Sequence, residues 1–424
     1  MECPLVPDTV IQMTSLIAWL DASSDDQRRM REIVRLFSQP ESRDELGIGQ
    51  IRDALADALF PGTSTLLTRA RYLLFVPWAF RVAAGRTADG AALAAASDKA
   101  ERQLIGGLRV AGNSGADIAG MLGASAGEAL KTLPSSVYWA ALGRYGILAE
   151  PSMNQTDALA AELERRRHRA ASSDSIDEPT SWHLGAWSAT LPPVPEGFPA
   201  DVPGGLALTP DEAAWLKERI EQGAEGTVLD HVLGRRLSAS SAPWLDPATA
   251  DLEGRSQGLL EHAKRFSDAM YGSALLYNTL LAEAYEAQGF DRSSAEAAKH
   301  RPALEAWAGD SAIQGRLQAW DLDEFWSVLL PLNARIAAPT RRFVDEWVAI
   351  VQGQDAAAIA ESKAARVFIA NRERQHKRAQ ARLDNRRLLE NWSGASGSGR
   401  LTFRWSTVRT IVTDIHDALE GAHA

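Results

Sequence analysis

Apolar residues recur at three- and four-residue spacing along most of this chain, the period of helices buried on one face. Residues 27–37 place Met30, Ile33, Val34 and Phe37 on one such stripe, and Pro40 closes it. Residues 48–60 repeat the pattern with Ile48, Ile51, Leu55 and Leu59 before Pro61-Gly62 stops the helix. Thr63 or Ser64 then caps a predicted third helix running towards Phe75, with Pro77 bending or ending it. Further helices are predicted over 98–110 and 134–146, with an Arg-rich helix end at 162–169.

Between 171 and 208 the periodicity is lost. Pro179, Pro192, Pro193, Pro195, Pro199 and Pro203 exclude a packed helix, and Trp182, Trp187 and Phe198 suit an extended segment lying on the protein surface. Thr209-Pro210-Asp211-Glu212 then reads as a strong helix start: a capping Thr, Pro in the first turn, and two acids at the positive helix end. Helices follow at 211–222, 255–288, 301–309, 321–332, 338–352 and 355–391. The most apolar long one, 255–288, carries Phe266, Met270, Leu275, Tyr277, Leu280 and Leu281 around small Gly272 and Ala274, as a central helix wrapped on most sides would. LTFRWSTV alternates like a strand, and DIHDAL ends the chain as a helix.

The expected fold is therefore mainly α, a multi-helix two-domain protein. An N-terminal helical domain spans 1–170, a Pro/Trp-rich connector 171–208, and a C-terminal helical domain 209–424. A winged-helix-like element is expected near 98–150 and a short β or wing segment near 400–408.

Composition narrows the class. The chain has 424 residues, 45% hydrophobic and 24% charged, enough for two or three cores of a globular protein. Thirteen tryptophans against six tyrosines imply large buried anchors. Cys3 is the lone cysteine, so no intrachain disulfide or multi-cysteine metal site can form. No signal-peptide pattern opens the sequence, and the run Tyr72 to Phe80 is under half of a bilayer span, so a cytoplasmic location without membrane is expected.

Charge is segregated. The net charge is −10, yet residues 363–387 carry nine Lys/Arg against Glu373 and Asp384, which is +7 and leaves −17 elsewhere. On a continuous helix Arg374, Lys377, Arg378, Arg382 and Arg386 form one basic stripe able to neutralise phosphates of duplex or single-stranded DNA. The plainer alternative is a solvated helix paired with the acidic remainder. Leu401, Phe403, Arg404 and Trp405 follow closely; the aromatics either stack bases or cover the core. In LPSSVYWAALGRYGI (133–147), a short helix, a turn and a Ser-started helix resemble the recognition region of winged-helix modules. Ser135, Ser136, Tyr138 and Arg144 would then face the partner.

Catalytic motifs are scarce. No phosphate-binding GxxxxGK[ST] loop exists; Gly47-Ile48-Gly49 lacks a third glycine and a preceding strand; and Gly394 to Gly399 follows a helix as a flexible turn would. Asp414-Ile415-His416-Asp417 reads as a solvated helix end rather than a metal site. One three-dimensional constellation stays open as a nuclease or hydrolase site, namely Asp44, Glu45, Arg52, Asp53, Arg69 and Arg71. The competing view makes Arg52, Asp53, Arg69 and Arg71 a structural cluster.

These residues lie within SRDELGIGQIRDALADALFPGTSTLLTRARYLLFVPWAFR (42–81), where Arg43, Arg52, Arg69, Arg71 and Arg81 crowd an aromatic run. Such crowding indicates a buried helix with its polar neighbours tied into a network. With LPSSVYWAALGRYGI, HAKRFSDAMYGSALLYN and SGSGRLTFRW, the segment resembles the pattern of a bacterial family described only as a domain of unknown function. The resemblance covers nearly the whole chain. It brings no catalytic residues or cofactor, and it implies a DNA-linked subunit of a defence complex with other defence proteins as partners.

Overall fold

The Asp44 carboxylate starts the first helix by accepting the Ile48 and Gly49 backbone N–H groups at 2.6 and 3.0 Å. The computed structural model describes residues 44–87, 89–171, 185–290, 297–353 and 358–421. The helix expected at 27–37, together with Arg43 and Trp182, lies outside them. Helix α1 spans Gly49–Leu59 and buries Ile51, Leu55 and Leu59, as its periodicity predicts. At its entrance Gly47 has φ +71°, and a Cβ there would sit 2.5 Å from Arg372 Nη2. A side chain there would strain the backbone and crowd the ends of Arg372 and His376.

The third helix departs from expectation. Residues 63–71 are turns, and α2 spans Tyr72–Arg86 straight through Pro77. The missing Pro77 N–H removes one ladder bond, but burial of Tyr72 to Phe80 from end to end favours the helix more strongly than that loss opposes it. Helices α3 (Leu93–Asn113), α4 (Pro134–Arg144) and α5 (Gln155–Ala171) pack against α2. The connector does not merely lie on the surface. Trp187 and Phe198 are buried; Phe198 stacks on Phe75 at 5.8 Å, and Trp78 Nε1 donates to Pro192 O at 2.9 Å.

Beyond it come α6 (Pro210–Ala224), α7 (Val228–Leu233) and the long α8 (Gly254–Ala287). The Thr209 and Glu212 side chains cap α6 reciprocally, as the sequence indicates. Helix α8 is central: α1, α9 (His300–Gly309), α10 (Ser311–Gln318), α12 (Ala338–Gly353) and α13 (Lys363–Lys377) all pack on it, while α11 (Leu322–Leu329) lies against α1. Helix α14 (Arg386–Glu390) and the last helix α15 (Trp405–Glu420) complete the order. The buried apolar cluster is continuous from Leu46 to Ile415.

Two expectations of β or winged structure fail among the described residues, which contain no strand. The 98–150 region is helical, with only an isolated bridge, Leu148 to Trp187. Its Ser135 and Tyr138 are buried rather than presented: Ser135 N–H donates to the buried Glu101, and Tyr138 OH bonds the Thr68 and Arg69 backbone. Near 400–408 the chain turns through Phe403 and Arg404 and enters α15 at Trp405. Alternation in LTFRWSTV marks which residues are buried, not a strand. No helix among the described residues is long and apolar enough to cross a membrane.

Candidate binding clefts around the first helix

The basic segment is not one helix. It breaks after Lys377, where Arg378 takes φ +50°, and the chain folds back so that the buried Glu373 accepts Arg382 N–H at 2.7 Å and Leu383 N–H at 3.2 Å. The predicted stripe is thereby dispersed. Lys377 Nζ and Arg382 Nη1 lie 2.9 and 2.8 Å from Oε2 of buried Glu45. Arg374 is bidentate to Asp384 at 2.8 and 3.0 Å, and Arg366 is bonded to Glu283. Arg372 is buried, donating to the carbonyls of Leu46, Gly47 and Pro339. Arg386 bonds Gln288 and lies over the Phe290 ring, yet stays exposed, as do Arg378 and Arg387.

Burial raises the Glu45 carboxyl, but the hydrogen bond and charge of Arg382, with Lys377, outweigh it and hold it below the ordinary glutamate range. The Tyr277 hydroxyl is pushed far up by burial and by the Glu373 carboxylate, to which it donates at 2.6 Å. Neither aromatic of the expected base-stacking pair is available as such. Phe403 and Trp405 are 3% and 0% exposed, and Trp405 Nε1 donates to Ser240 Oγ at 3.0 Å.

The acid and arginine constellation of the 42–81 segment splits in two. Arg71 is buried, bonded to Glu212 at 2.9 Å and to the carbonyls of Pro203 and Gly205. Arg69 binds Asp414 and Asp117. Both arginines thus fasten the N-terminal segment to later parts of the chain. Asp414 is accordingly no solvated helix end, since its side chain is 8% exposed. His416, Asp417 and Glu420 do cluster beyond it, but at the surface.

Arg52 and Asp53 stay at α1, paired to each other at 2.9 Å, and the clefts lie around them. On one side Gln50, Asp53 and Asp57 line a cleft of about 620 Å³ whose other walls carry Arg144, Glu225 and Arg255. Asp53 and Arg144, candidates from two separate sequence readings, therefore share one cleft. Ser136 is exposed on α4. On the other side Arg52, Asp53, Ser64 and Thr65 meet Phe403 and Arg404 around about 270 Å³. Arg404 reaches Asp57 and Thr63 O, both at 2.6 Å.

Sequence reasoning missed the Gly/Ser loop. Rather than a flexible turn, 394–399 is pinned to α8 by Asn278, which takes the Ser396 N–H at 2.7 Å and donates to Ser396 O at 2.8 Å. The signal was an asparagine inside the long central helix, where burial demands partners. A protein family described as "Family of unknown function (DUF6361)" matches residues 14–419. No curated protein and no solved structure matches the chain.

Proposed function

Starting from a chain that belongs to this family of unknown function, we propose that the protein is a non-enzymatic scaffolding or DNA-associated subunit of a bacterial defence system. The observation that carries the reading is the use of its charged groups. Arg69, Arg71, Arg372 and Arg382 all hold parts of the fold distant in sequence; of the acids in the 42–81 segment, Glu45 partners Arg382 and Asp44 caps α1, while the more exposed Asp53 and Asp57 pair with Arg52 and Arg404. Paired charges of this kind specify a rigid body. They are poorly suited to general acid–base work, which needs a group whose proton is free to move.

Contact with DNA then falls to the exposed corner where α13 turns into α14. Arg378, Arg386 and Arg387 are exposed there, beside the Asp384-paired Arg374. Lys377 and Arg382 are fold residues and do not belong to that surface. Ser136 and Arg144 on α4 form a secondary, weaker contact.

The test is a fluorescence-anisotropy titration of duplex and single-stranded DNA at two salt concentrations. Joint reversal of Arg378, Arg386 and Arg387 to Glu is expected to abolish binding, whereas Ser136→Ala with Arg144→Ala weakens it less. Wild-type binding should decline steeply with salt, by roughly 0.9 in log K per log salt for each phosphate neutralised. Unchanged binding by the triple reversal removes the corner from the reading. No binding by folded wild type leaves protein scaffolding alone. Divalent-metal-dependent cleavage of DNA would favour a nuclease instead.

A further inference from the structure

The end of α15 concentrates negative charge where a helix tolerates it least. Asp417 and Glu420 stand in its last turn, at the negative pole of the helix dipole, and that turn carries no basic residue. His416 precedes Glu420 by four residues, a spacing that puts both side chains on one face of the helix. One donor atom from each of His416, Asp417 and Glu420 lies within 4.8 Å of the other two. Glu420 is the residue that the run Asp414 to Asp417 lacks, and it turns two neighbours into a cluster of three.

The imidazole gives an independent indication. His416 Nδ1 is closed off from water and has no hydrogen-bond partner among the described residues. The charged group facing it is Glu420, whose Oε2 is 3.5 Å away, too far for a good hydrogen bond. Two nitrogen or oxygen ligands on one tetrahedral zinc ion, each bonded at about 2.0–2.1 Å, stand roughly 3.3 Å apart. The pair is therefore spaced as two ligands of a common ion. A cation between them satisfies the nitrogen and offsets the negative charge at the helix end together.

An ion needs no passage through the protein. Asp417 is exposed and can close the remaining distance by rotating its side chain, and the Glu420 side chain is 53% exposed. One competitor is present. Arg236 Nη1 lies 3.4 Å from the same Glu420 oxygen, but its side chain is 75% exposed, and an exposed pair of that length holds weakly. An imidazole with two carboxylates suits zinc, whereas magnesium and calcium take oxygen ligands.

We propose that His416, Asp417 and Glu420 form a structural zinc site at the end of α15. His416 binds through Nδ1, each carboxylate through one oxygen, and water completes the tetrahedron. The ion fastens the last turn of the helix that the Arg69 and Asp414 pair fixes further up.

The experiment is isothermal titration calorimetry of the full chain with zinc chloride, and with magnesium chloride as the control, joined to thermal unfolding in each salt. Zinc is expected to bind and to raise Tm by a few degrees at saturation, and magnesium not to. His416→Gln removes the ring nitrogen and should lose one zinc site. Cys3 and the other histidines are common to both proteins, so the lost site belongs to His416. Asp417→Asn, at an exposed position, should weaken the same site and serves if His416→Gln does not fold. Arg236→Gln releases Glu420 and should bind zinc more tightly. No zinc binding by folded wild type, an equal response to magnesium, or an unchanged set of sites in His416→Gln and Asp417→Asn would each overturn the proposal. So would weaker zinc binding by Arg236→Gln, because the arginine would then support the ion instead of competing with it.

Discussion

Arg69 and Asp414, 345 positions apart, meet with Arg69 Nε 2.9 Å from both carboxylate oxygens of Asp414. Asp414 also accepts the Ala70 N–H at 2.8 Å, and Arg69 extends to Asp117 at 2.7 Å and to Ala119 O at 2.8 Å. One guanidinium thus ties the turn before α2, the 117–119 loop and the last helix. Burial pushes the Asp414 carboxyl up, and Arg69 counters it only in part. Such a pair contributes little over a well-packed apolar substitute, yet breaking it leaves a buried charge alone.

Removing Asp414 alone is therefore expected to be severe. Asp414→Ala should lose about 3–5 kcal/mol in urea unfolding, because Arg69 stays buried without its main counter-charge. Replacing Arg69 and Asp414 together by Met and Leu should cost much less than the sum of the single changes. Additive losses would show that the two side chains are not coupled.

At Gly272 the constraint is steric. An added Cβ would lie 2.3 Å from Trp307 Cζ2, and Trp307 is locked by donating its Nε1–H to Asp268 O at 2.9 Å. Gly272→Ala should destabilise by about 1–3 kcal/mol through overpacking, even though alanine is the better helix former. A variant as stable as wild type in chemical denaturation would mean that α9 can shift away from α8.

The helical period made most of this architecture legible, and α1, α6, α8 and α12 stand close to where their stripes and caps put them. What stayed hidden depends on contacts distant in sequence. Pro77 looked like a terminator because its cost is local, whereas the burial that overrides it comes from α3, α4 and α5. Residues 363–387 looked like one basic helix because charge spacing does not reveal Glu373, whose carboxylate draws the chain back after Lys377. The candidate site was half visible. Arg52 and Asp53 do border clefts, but nothing linear separates them from Arg69 and Arg71, whose partners lie more than forty residues away.

Glu45 gives the basic segment an acid-sensitive anchor. Its carboxyl is held below the ordinary range in the folded protein, so the unfolded chain binds its proton more readily. The stability it supplies is complete above the unfolded value of 4.5 and is lost as pH falls through the folded one. Glu45→Gln should therefore destabilise at neutral pH, with the difference from wild type shrinking on acidification. A difference independent of pH in urea titrations would show that the ion pairs with Lys377 and Arg382 are not its source.

The opposite sign is expected at Glu101, a fully buried carboxyl beneath the start of α4. Burial is the main cause that raises it to about 7 from 4.5; the Ser135 N–H, donating at 2.7 Å, opposes this without cancelling it. Between those two values the folded protein holds a proton that the unfolded chain has released. Raising pH through that window must then lower stability, by roughly 3 kcal/mol once Glu101 is ionised in both states. Glu101→Gln retains an acceptor for Ser135 and carries no charge, so it should resemble wild type near pH 4 and exceed it in stability above pH 7. Urea unfolding of both proteins across this range isolates the residue, because every other titrating group is common to the two. If the two curves run parallel from acid to alkaline pH, Glu101 ionises in the folded protein as it does in the unfolded chain, and its burial carries no electrostatic cost.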